Sequence, residues 1–155
     1  MAPEKIVYLT REGLNRVEGE YKKLKDLRKA KLGRETPSVL YSEELNTEFV
    51  SFKEELDYID GRVEELEYIL KHYQIIKAPA KFNRDRIGLG AHVIVEVSGN
   101  KDEFQIVGTV EANPSFGKIS NESPAGKALL DRRVGDEVII SSPTKMVYKI
   151  KKISY

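Results

Sequence analysis

Residues 45–73 read LNTEFVSFKEELDYIDGRVEELEYILKHY, and this stretch decides the fold of the N-terminal half. Its apolar residues recur at alternating steps of four and three, which keeps one stripe of a helix facing one partner over many turns. The stripe consists of Leu45, Phe49, Phe52, Leu56, Ile59, Val63, Leu66, Leu70 and Tyr73. The pattern predicts a helix over residues 42–73, which would extend roughly 45 Å at about 1.5 Å per residue. Such a helix needs a second helix against which to bury its stripe.

A shorter apolar stripe lies upstream. It begins after Thr10, a residue type that caps helix N-termini, and Glu12 suits the positive end of the helix dipole. Its members are Leu14, Val17, Tyr21, Leu24 and Leu27. Gly33 and Pro37 then weaken the helix. We therefore predict an antiparallel helical hairpin that bends between residues 33 and 42, with an intermolecular coiled coil as the alternative.

The pattern changes after His72 from helical spacing to short alternating segments. Alternating apolar and polar residues predict strands, and clusters of Gly, Pro and Asn between them predict turns. The predicted strands cover residues 91–97, 104–110, 137–140 and 147–153, and a short helix covers residues 123–130. These elements indicate a small antiparallel sheet with one helix on it. We expect an α+β fold with a hairpin domain at residues 1–76, a linker at 77–85 and a second domain at 86–155.

Composition limits the classes of function. The chain has 155 residues and 17.6 kDa, which leaves room for two small domains but not for a large enzyme with a buried cofactor cleft. It has no cysteine, so disulfides, Cys-ligated zinc and thiol catalysis are excluded. No apolar stretch approaches the ~18 residues that a membrane span requires. We expect a soluble cytoplasmic protein that does not bind membranes.

The two histidines, His72 and His92, have no serine at a recognisable nucleophile spacing. We interpret both as ordinary surface or structural residues. Gly88-Leu89-Gly90 resembles part of a phosphate-binding loop, but it lacks the third glycine and a following helix. We expect neither a catalytic centre nor a nucleotide site in this chain.

Charge is segregated along the hairpin. Residues 21–34 contain seven Lys or Arg and one Asp, a net charge of +6, whereas residues 43–67 contain two cations and ten acids, a net charge of −8. One interpretation is that ion pairs between the two helices flank the apolar contact and set its register. The other is that part of the basic face binds a phosphate backbone, for which we select Lys22, Lys25, Lys29 and Arg34. The two interpretations are compatible.

Acidic residues lie close to the predicted bend. Glu35, Glu43 and Glu44 are near it, together with Ser42. Carboxylates at the end of a thin hairpin could complete the oxygen shell of a Mg²⁺ ion held mainly by another protein. Acidic residues are equally common at helix starts, where they are simply solvated. The sequence alone favours the solvated interpretation.

Several motifs occur in the order and spacing of one known family. In the N-terminal half they are Tyr8 to Gly13, Asn46-Thr47-Glu48-Phe49, Lys53-Glu54-Glu55 and Asp60-Gly61-Arg62-Val63. In the C-terminal half they are Ile106-Val107-Gly108, Glu111-Ala112, Lys118-Ile119-Ser120, Ser123 to Leu130 and Gly135-Asp136. Over nearly its full length the chain thus resembles the bacterial Gre transcript-cleavage factors. The resemblance implies an N-terminal coiled-coil hairpin and a C-terminal FKBP-like domain.

The resemblance also implies a function. In this family the C-terminal domain docks on the rim of the secondary channel of RNA polymerase, and the hairpin enters the channel. Ser120, Ser123 and Pro124 occupy the docking positions, although Ser123 and Pro124 are also typical of a helix start. The chain would then be an accessory factor without catalytic residues or a cofactor of its own. It could share the polymerase Mg²⁺ and contact the 3′ end of the nascent RNA.

The match departs from the family at the hairpin tip. Cleaving members carry an Asp and a Glu that help to hold the second Mg²⁺, and this chain has Ser42 and Leu45 at those positions. Either Glu43 and Glu44 hold the metal from shifted positions, or the protein binds the channel and modulates or inhibits polymerase without stimulating cleavage. We favour the second interpretation, because Leu45 is in phase with the apolar stripe.

Two other classes of function are less consistent with the sequence. An FKBP-like sheet suggests a peptidyl-prolyl isomerase, but fold alone does not confer that activity and no pattern of pocket-lining aromatic residues is evident. A hairpin that dimerises with a second copy would be a structural module. We expect a monomer.

Overall fold

A computed structural model describes residues 4–34, 47–141 and 144–155 of the chain. The chain divides into two compact units, one formed by Met1–Gly13 with Tyr73–Tyr155 and the other by Leu14–His72. This division differs from the expected boundaries at residues 76 and 86. The physical reason is strand β1 (Val7–Leu9), which pairs in parallel with β2 (Tyr73–Ile75) and so joins the N-terminal segment to the C-terminal unit.

The first long helix, α1 (Arg11–Leu32), and the second, α2 (Thr47–His72), pair within one chain. Three side-chain contacts fix their direction. Tyr21 meets Glu67, Arg28 meets Asp60 and Lys31 meets Glu55. Residue numbers rise along α1 as they fall along α2, so the predicted antiparallel hairpin is confirmed. In the described part of the chain, neither helix is apolar enough to cross a membrane.

The predicted stripes supply most of the buried residues of the hairpin. Val17, Ile59 and Leu66 are buried as expected, and Ile69 is buried although it lies outside the predicted stripe. Leu27 remains 43% exposed. The prediction that Tyr73 continues the helix is wrong, because this residue is in β2 and is 40% exposed. Leu45, the first member of the stripe, lies outside the described residues.

Ion pairs flank the apolar contact, as the charge segregation predicts. Arg62 on α2 donates to both carboxylate oxygens of Glu20 on α1, at 2.7 Å and 3.0 Å, and to Glu65 on its own helix at 2.8 Å. The hydrogen bond from Arg62 lowers the pKa of Glu20, and the two carboxylates raise the pKa of Arg62. Two parallel hydrogen bonds to one carboxylate define orientation as well as attraction, so this contact helps to set the register of the helices.

The C-terminal unit contains a five-stranded sheet in its described residues. Its strands are β3 (His92–Val97), β4 (Asn100–Val107), β5 (Lys118–Ser120), β6 (Glu137–Ser141) and β7 (Lys145–Ser154), in the spatial order β5-β4-β3-β7-β6. All neighbouring pairs are antiparallel except β4 and β5, which are parallel. The expected small sheet with one short helix, α3 (Pro124–Leu129), is confirmed. The expectation that the sheet is wholly antiparallel is wrong, because β4 and β5 are parallel.

Strand β4 begins and ends earlier than predicted. Ser98 and Gly99 form the turn with φ angles of 51° and 79°, so pairing resumes at Asn100. The strand ends at Val107, and Thr109–Glu111 forms a 3-10 turn instead of continuing it. The sequence pattern does not predict β1, β2 or β5, because three residues are too few to establish a period.

One face of the sheet carries the core of this unit, together with Leu129 of α3. The buried members of the core are Ile87, Ala91, Val93, Val95, Phe104, Ile106, Leu129, Val138, Ile140 and Ile150. Gly126 allows α3 to lie this close to the end of β5, because a Cβ at that position would be 1.9 Å from the carbonyl oxygen of Ser120. The position of α3 therefore depends on a glycine within it.

Leu66→Ala tests the hairpin contact. Leu66 has no exposed surface, so truncation should lower the free energy of unfolding of the hairpin by about 2–5 kcal/mol through lost burial and a cavity. Urea denaturation followed by far-UV circular dichroism measures the change. Leu32→Ala is the control, since Leu32 is 47% exposed and its truncation should change stability by less than about 0.5 kcal/mol. Equal effects of the two variants would contradict the assigned contact.

Candidate functional site

The residues expected to dock on a partner lie where β5 is followed by α3. The Ser123 hydroxyl accepts a hydrogen bond from the Gly126 amide at 3.0 Å and donates to the Ser120 carbonyl at 2.7 Å. Ser123 is thus the N-cap of α3, with Pro124 in its first turn. The helix-start interpretation of Ser123-Pro124 is confirmed, and the same geometry holds the loop in one conformation.

The Ser120 side chain is also engaged within the fold. It is 9% exposed, its hydroxyl accepts from the Glu122 amide at 3.1 Å, and it lies 3.2 Å from the Thr109 hydroxyl. Ser123 is half-buried, whereas Pro124 is exposed. Of the three expected docking residues, Pro124 is therefore the one whose side chain is exposed, and the two serines form hydrogen bonds within the loop that carries it.

A charged network beside this loop is not evident in the sequence pattern. Glu122 accepts hydrogen bonds from Lys5 at 2.9 Å and from Thr109 at 2.8 Å. The hydrogen bond from Lys5 is the main cause of its lowered pKa, followed by that from Thr109. The partners are 13 and 117 positions away in sequence, so periodicity cannot reveal them. The network brings an exposed carboxylate and an exposed ammonium group to the surface next to Ser123.

A buried carboxylate binds the residue that precedes α1. Glu111 is 8% exposed and accepts from the Thr10 amide and the Thr10 hydroxyl, both at 2.6 Å. The Thr10 hydroxyl in turn accepts from the Gly13 amide at 3.0 Å, which confirms Thr10 as the N-cap. In the sequence, Glu111 stands out only as part of the Glu111-Ala112 motif. A glutamate so far from its partner in sequence gives no local signal of this contact.

Three of the four residues predicted to form a basic patch share one exposed stripe of α1, and their binding role stays a prediction. Lys22, Lys25 and Lys29 are spaced by three and four residues on α1 and are exposed, so they share one stripe of the helix. Lys25 lies 5.2 Å from the centre of the Tyr21 ring and donates to its hydroxyl at 3.3 Å. Arg34 is exposed but follows the end of α1, so helical spacing does not place it on that stripe.

Two other cations of this segment serve the hairpin. Arg28 donates to Asp60 at 2.5 Å, and Lys31 pairs with Glu55. Some cations of residues 21–34 thus form interhelical ion pairs, and others form an exposed stripe. This arrangement is compatible with both interpretations of the charge, ion pairing and phosphate binding. No ion pair of Lys22 or Lys29 occurs within the described residues.

The candidate metal-binding residues at the tip, Ser42, Glu43, Glu44 and Leu45, lie outside the described residues, as does Glu35. Within residues 4–34, 47–141 and 144–155, no group of three or more His, Asp or Glu side chains is arranged to hold a metal ion. The metal-binding prediction for Glu43 and Glu44 therefore stays a prediction.

His72 and the glycine-rich segment form contacts within the fold. The His72 ring stacks on Tyr68 at 4.1 Å, and its Nδ1 lies 2.7 Å from the Tyr68 carbonyl oxygen. Gly90 has a φ of 86° and donates its amide to the Ile106 carbonyl at 2.7 Å. This segment is a turn that packs against the sheet.

Comparisons of sequence find relatives over nearly the whole chain. The family model described as transcription elongation factor, GreA/GreB, C-term matches residues 82–155. Transcription elongation factor GreA of Thermomicrobium roseum is 37% identical over 145 residues, which cover 92% of each chain. That of Bacillus subtilis is 37% identical over 159 residues, covering 99% of this chain and 100% of the relative. Among solved structures, GreA factor homolog 1 of Thermus thermophilus is 29% identical, covers 97% of this chain and 100% of its own, and has a TM-score of 0.44.

Gly13→Ala tests the contact between Glu111 and Thr10. A Cβ at residue 13 would lie 2.2 Å from the Glu111 carboxyl carbon, so the carboxylate must leave its two hydrogen bonds. We expect a loss of about 1–3 kcal/mol in the free energy of unfolding. Gly19→Ala is the matched control on the same helix, because no atom lies within 4 Å of its added Cβ. It should stabilise the protein by about 0.5–1 kcal/mol. Stabilisation by both variants in urea denaturation would contradict the contact.

Proposed function

The chain belongs to the GreA/GreB family of transcription elongation factors, and from this membership we propose that it binds bacterial RNA polymerase as a regulator of elongation. In this proposal the C-terminal unit docks at the rim of the secondary channel and the helical hairpin enters the channel. The observation that carries the proposal is the relationship to GreA proteins over nearly the full length. We further propose that the protein works as a monomer in the cytoplasm.

The hydrogen bonds that hold the loop before α3 support the docking part of the proposal. A rigid loop loses little conformational freedom when it binds, so little binding free energy is lost in ordering it. The Ser123 cap and the engaged Ser120 hydroxyl hold this loop before any partner is present. Pro124, exposed on top of it, is then the residue that contacts polymerase, while Ser120 and Ser123 act as positioning residues.

The protein acts as an accessory factor in this proposal, and the chemistry is that of the polymerase active site. It has no cofactor of its own and acts next to the Mg²⁺ ions of the polymerase. The exposed stripe of Lys22, Lys25 and Lys29, together with Arg34, would face the nucleic acid near the 3′ end of the nascent RNA. Clustered cations gain affinity for phosphates by releasing counterions, so this contribution should weaken as salt rises.

The residues at the tip favour modulation or inhibition over stimulated cleavage. A second Mg²⁺ needs oxygen ligands, preferably carboxylates, to stay bound and activate water. Ser42 offers a neutral oxygen and Leu45 offers none at the positions where cleaving relatives carry acids. The alternative is an active cleavage factor that rescues backtracked polymerase through the shifted acids Glu43 and Glu44.

A transcript-shortening assay separates these two modes. Purified protein is added to stalled, backtracked elongation complexes with Mg²⁺, and RNA length is followed over time. We expect no acceleration of cleavage above the polymerase alone, and slower cleavage when a cleaving GreA is also present, because both compete for one channel. Cleavage that is stimulated by the wild-type chain and lost in Glu43→Ala/Glu44→Ala would overturn the preference for a non-cleaving factor.

Pro124→Ala tests the docking surface separately from stability. Pro124 is exposed, so the variant should keep its free energy of unfolding within about 0.5 kcal/mol while its affinity for core polymerase falls. Ser123→Ala is the comparison variant, and loss of its cap should cost about 1 kcal/mol of stability. Affinity is measured by fluorescence anisotropy and stability by urea denaturation. Unchanged polymerase affinity of Pro124→Ala would remove this residue from the proposed interface.

A further inference from the structure

The hairpin has an apolar groove along one side of the contact between α1 and α2. The groove has a volume of about 380 Å³ and is lined by Leu24, Leu27, Lys31, Glu54, Glu55, Tyr58 and Ile59. Two of its apolar side chains are strongly exposed, Leu27 by 43% and Tyr58 by 72%. Singly exposed apolar residues are ordinary, but an aliphatic and an aromatic side chain lining one concave surface indicate a binding site.

The folding of the hairpin alone does not explain this groove. Ile59 at its base is 3% exposed and already belongs to the interhelical contact. Leu27 belongs to the predicted stripe of α1, yet it is 43% exposed and lines the groove together with Tyr58 of α2. Two helices bury one stripe each, and residues on the flank of that stripe are covered only by a third element. Among the described residues, no third element covers Leu27 and Tyr58.

The charge at the rim of the groove indicates the kind of partner. Lys31 is engaged with Glu55, which leaves Glu54 as the uncompensated charge among the lining residues. An acidic rim repels phosphate groups, so nucleic acid is an unfavourable occupant. Two copies joined groove to groove would bring two Glu54 carboxylates toward each other, which is also unfavourable. A protein segment with an apolar anchor and an adjacent Lys or Arg satisfies both the surface and the charge.

The cations proposed to face nucleic acid do not line the groove. Lys22, Lys25 and Lys29 are absent from its lining, and Lys31 is the cation that reaches it. The hairpin thus offers an apolar surface with an acidic rim and, separately, an exposed basic stripe. Inside a channel that holds both protein walls and nucleic acid, these surfaces select different neighbours.

We propose that the groove of Leu24, Leu27, Tyr58 and Ile59 binds a protein segment that inserts an aliphatic or aromatic side chain and places a Lys or Arg near Glu54. The inference rests on the proposed function in one respect, since it assigns that segment to the wall of the RNA polymerase secondary channel. This contact would set the rotation of the hairpin about its own axis, with the groove against protein and the basic stripe toward nucleic acid.

The test compares Leu27→Ser/Tyr58→Ser with Leu32→Ser in the full-length chain. Leu32 is on the same helix, is 47% exposed and does not line the groove, so it matches Leu27 in chemistry and exposure. Affinity for core polymerase is measured by fluorescence anisotropy after circular dichroism has established equal helix content. We expect the groove variant to bind about tenfold more weakly or worse, as for a small cluster of anchor residues. The Leu32→Ser protein should bind like wild type.

Glu54→Lys and Glu64→Lys test the charge of the partner. Both acids are exposed on α2, but Glu64 does not line the groove. Glu54→Lys should weaken binding several-fold, most strongly at low salt, and Glu64→Lys should not. Equal effects of the two substitutions would overturn the assignment of a basic partner.

Photo-crosslinking from position 58 identifies the occupant directly and keeps an aromatic ring in the groove. With benzoylphenylalanine in place of Tyr58, we expect a crosslink to a polymerase subunit. A crosslink to RNA or to a second copy of the chain would overturn the inference. If the groove variant binds polymerase as tightly as the wild-type protein, the inference is overturned, while the proposed function stands. Wild-type protein that does not bind polymerase removes the proposed function and, with it, the assignment of the segment to polymerase.

Discussion

The contact between α1 and α2 is the constraint on which the N-terminal half depends. Only three described residues of α2 are buried, so the apolar contact is narrow for a helix of 26 residues. They are Ile59, Leu66 and Ile69. A narrow contact defines register poorly, because sliding one helix past the other costs little apolar burial. The paired hydrogen bonds from Arg62 to Glu20 and the ion pair between Arg28 and Asp60 supply the missing specificity. The opposite charges of the two helices thus supply the register that the narrow apolar contact defines poorly.

Sequence periodicity predicts the parts of this protein that are local. The two helices, the antiparallel hairpin, the Thr10 and Ser123 caps and four strands of the C-terminal sheet all follow from spacing and residue type within a few positions. What periodicity misses is long-range. The β1–β2 pair joins segments more than sixty residues apart, and Glu111 binds Thr10 across 101 positions. Such contacts depend on the path of the whole chain, and no pattern inside either segment encodes them.

The candidate site shows the same division between local and long-range information. Family resemblance selects Ser120, Ser123 and Pro124 together, and only the arrangement of hydrogen bonds separates two positioning serines from one exposed proline. Helical spacing places Lys22, Lys25 and Lys29 on one stripe, but it does not reveal that Arg28 and Lys31 are engaged with α2. Leu27 is apolar and in phase, so the sequence assigns it to the core. It is 43% exposed, because the apolar spacing along one helix does not specify how much of each side chain the other helix covers.

The parallel pairing of β1 with β2 places Val7 beside Tyr73, so the chain leaves the sheet-bearing unit and returns to it at neighbouring strands. Everything between them is, in topological terms, a single long insertion. The two ends of this insertion lie at neighbouring strands whatever its length. Evolution can therefore lengthen, shorten or exchange the helical insert while the unit that receives it keeps its strands and core.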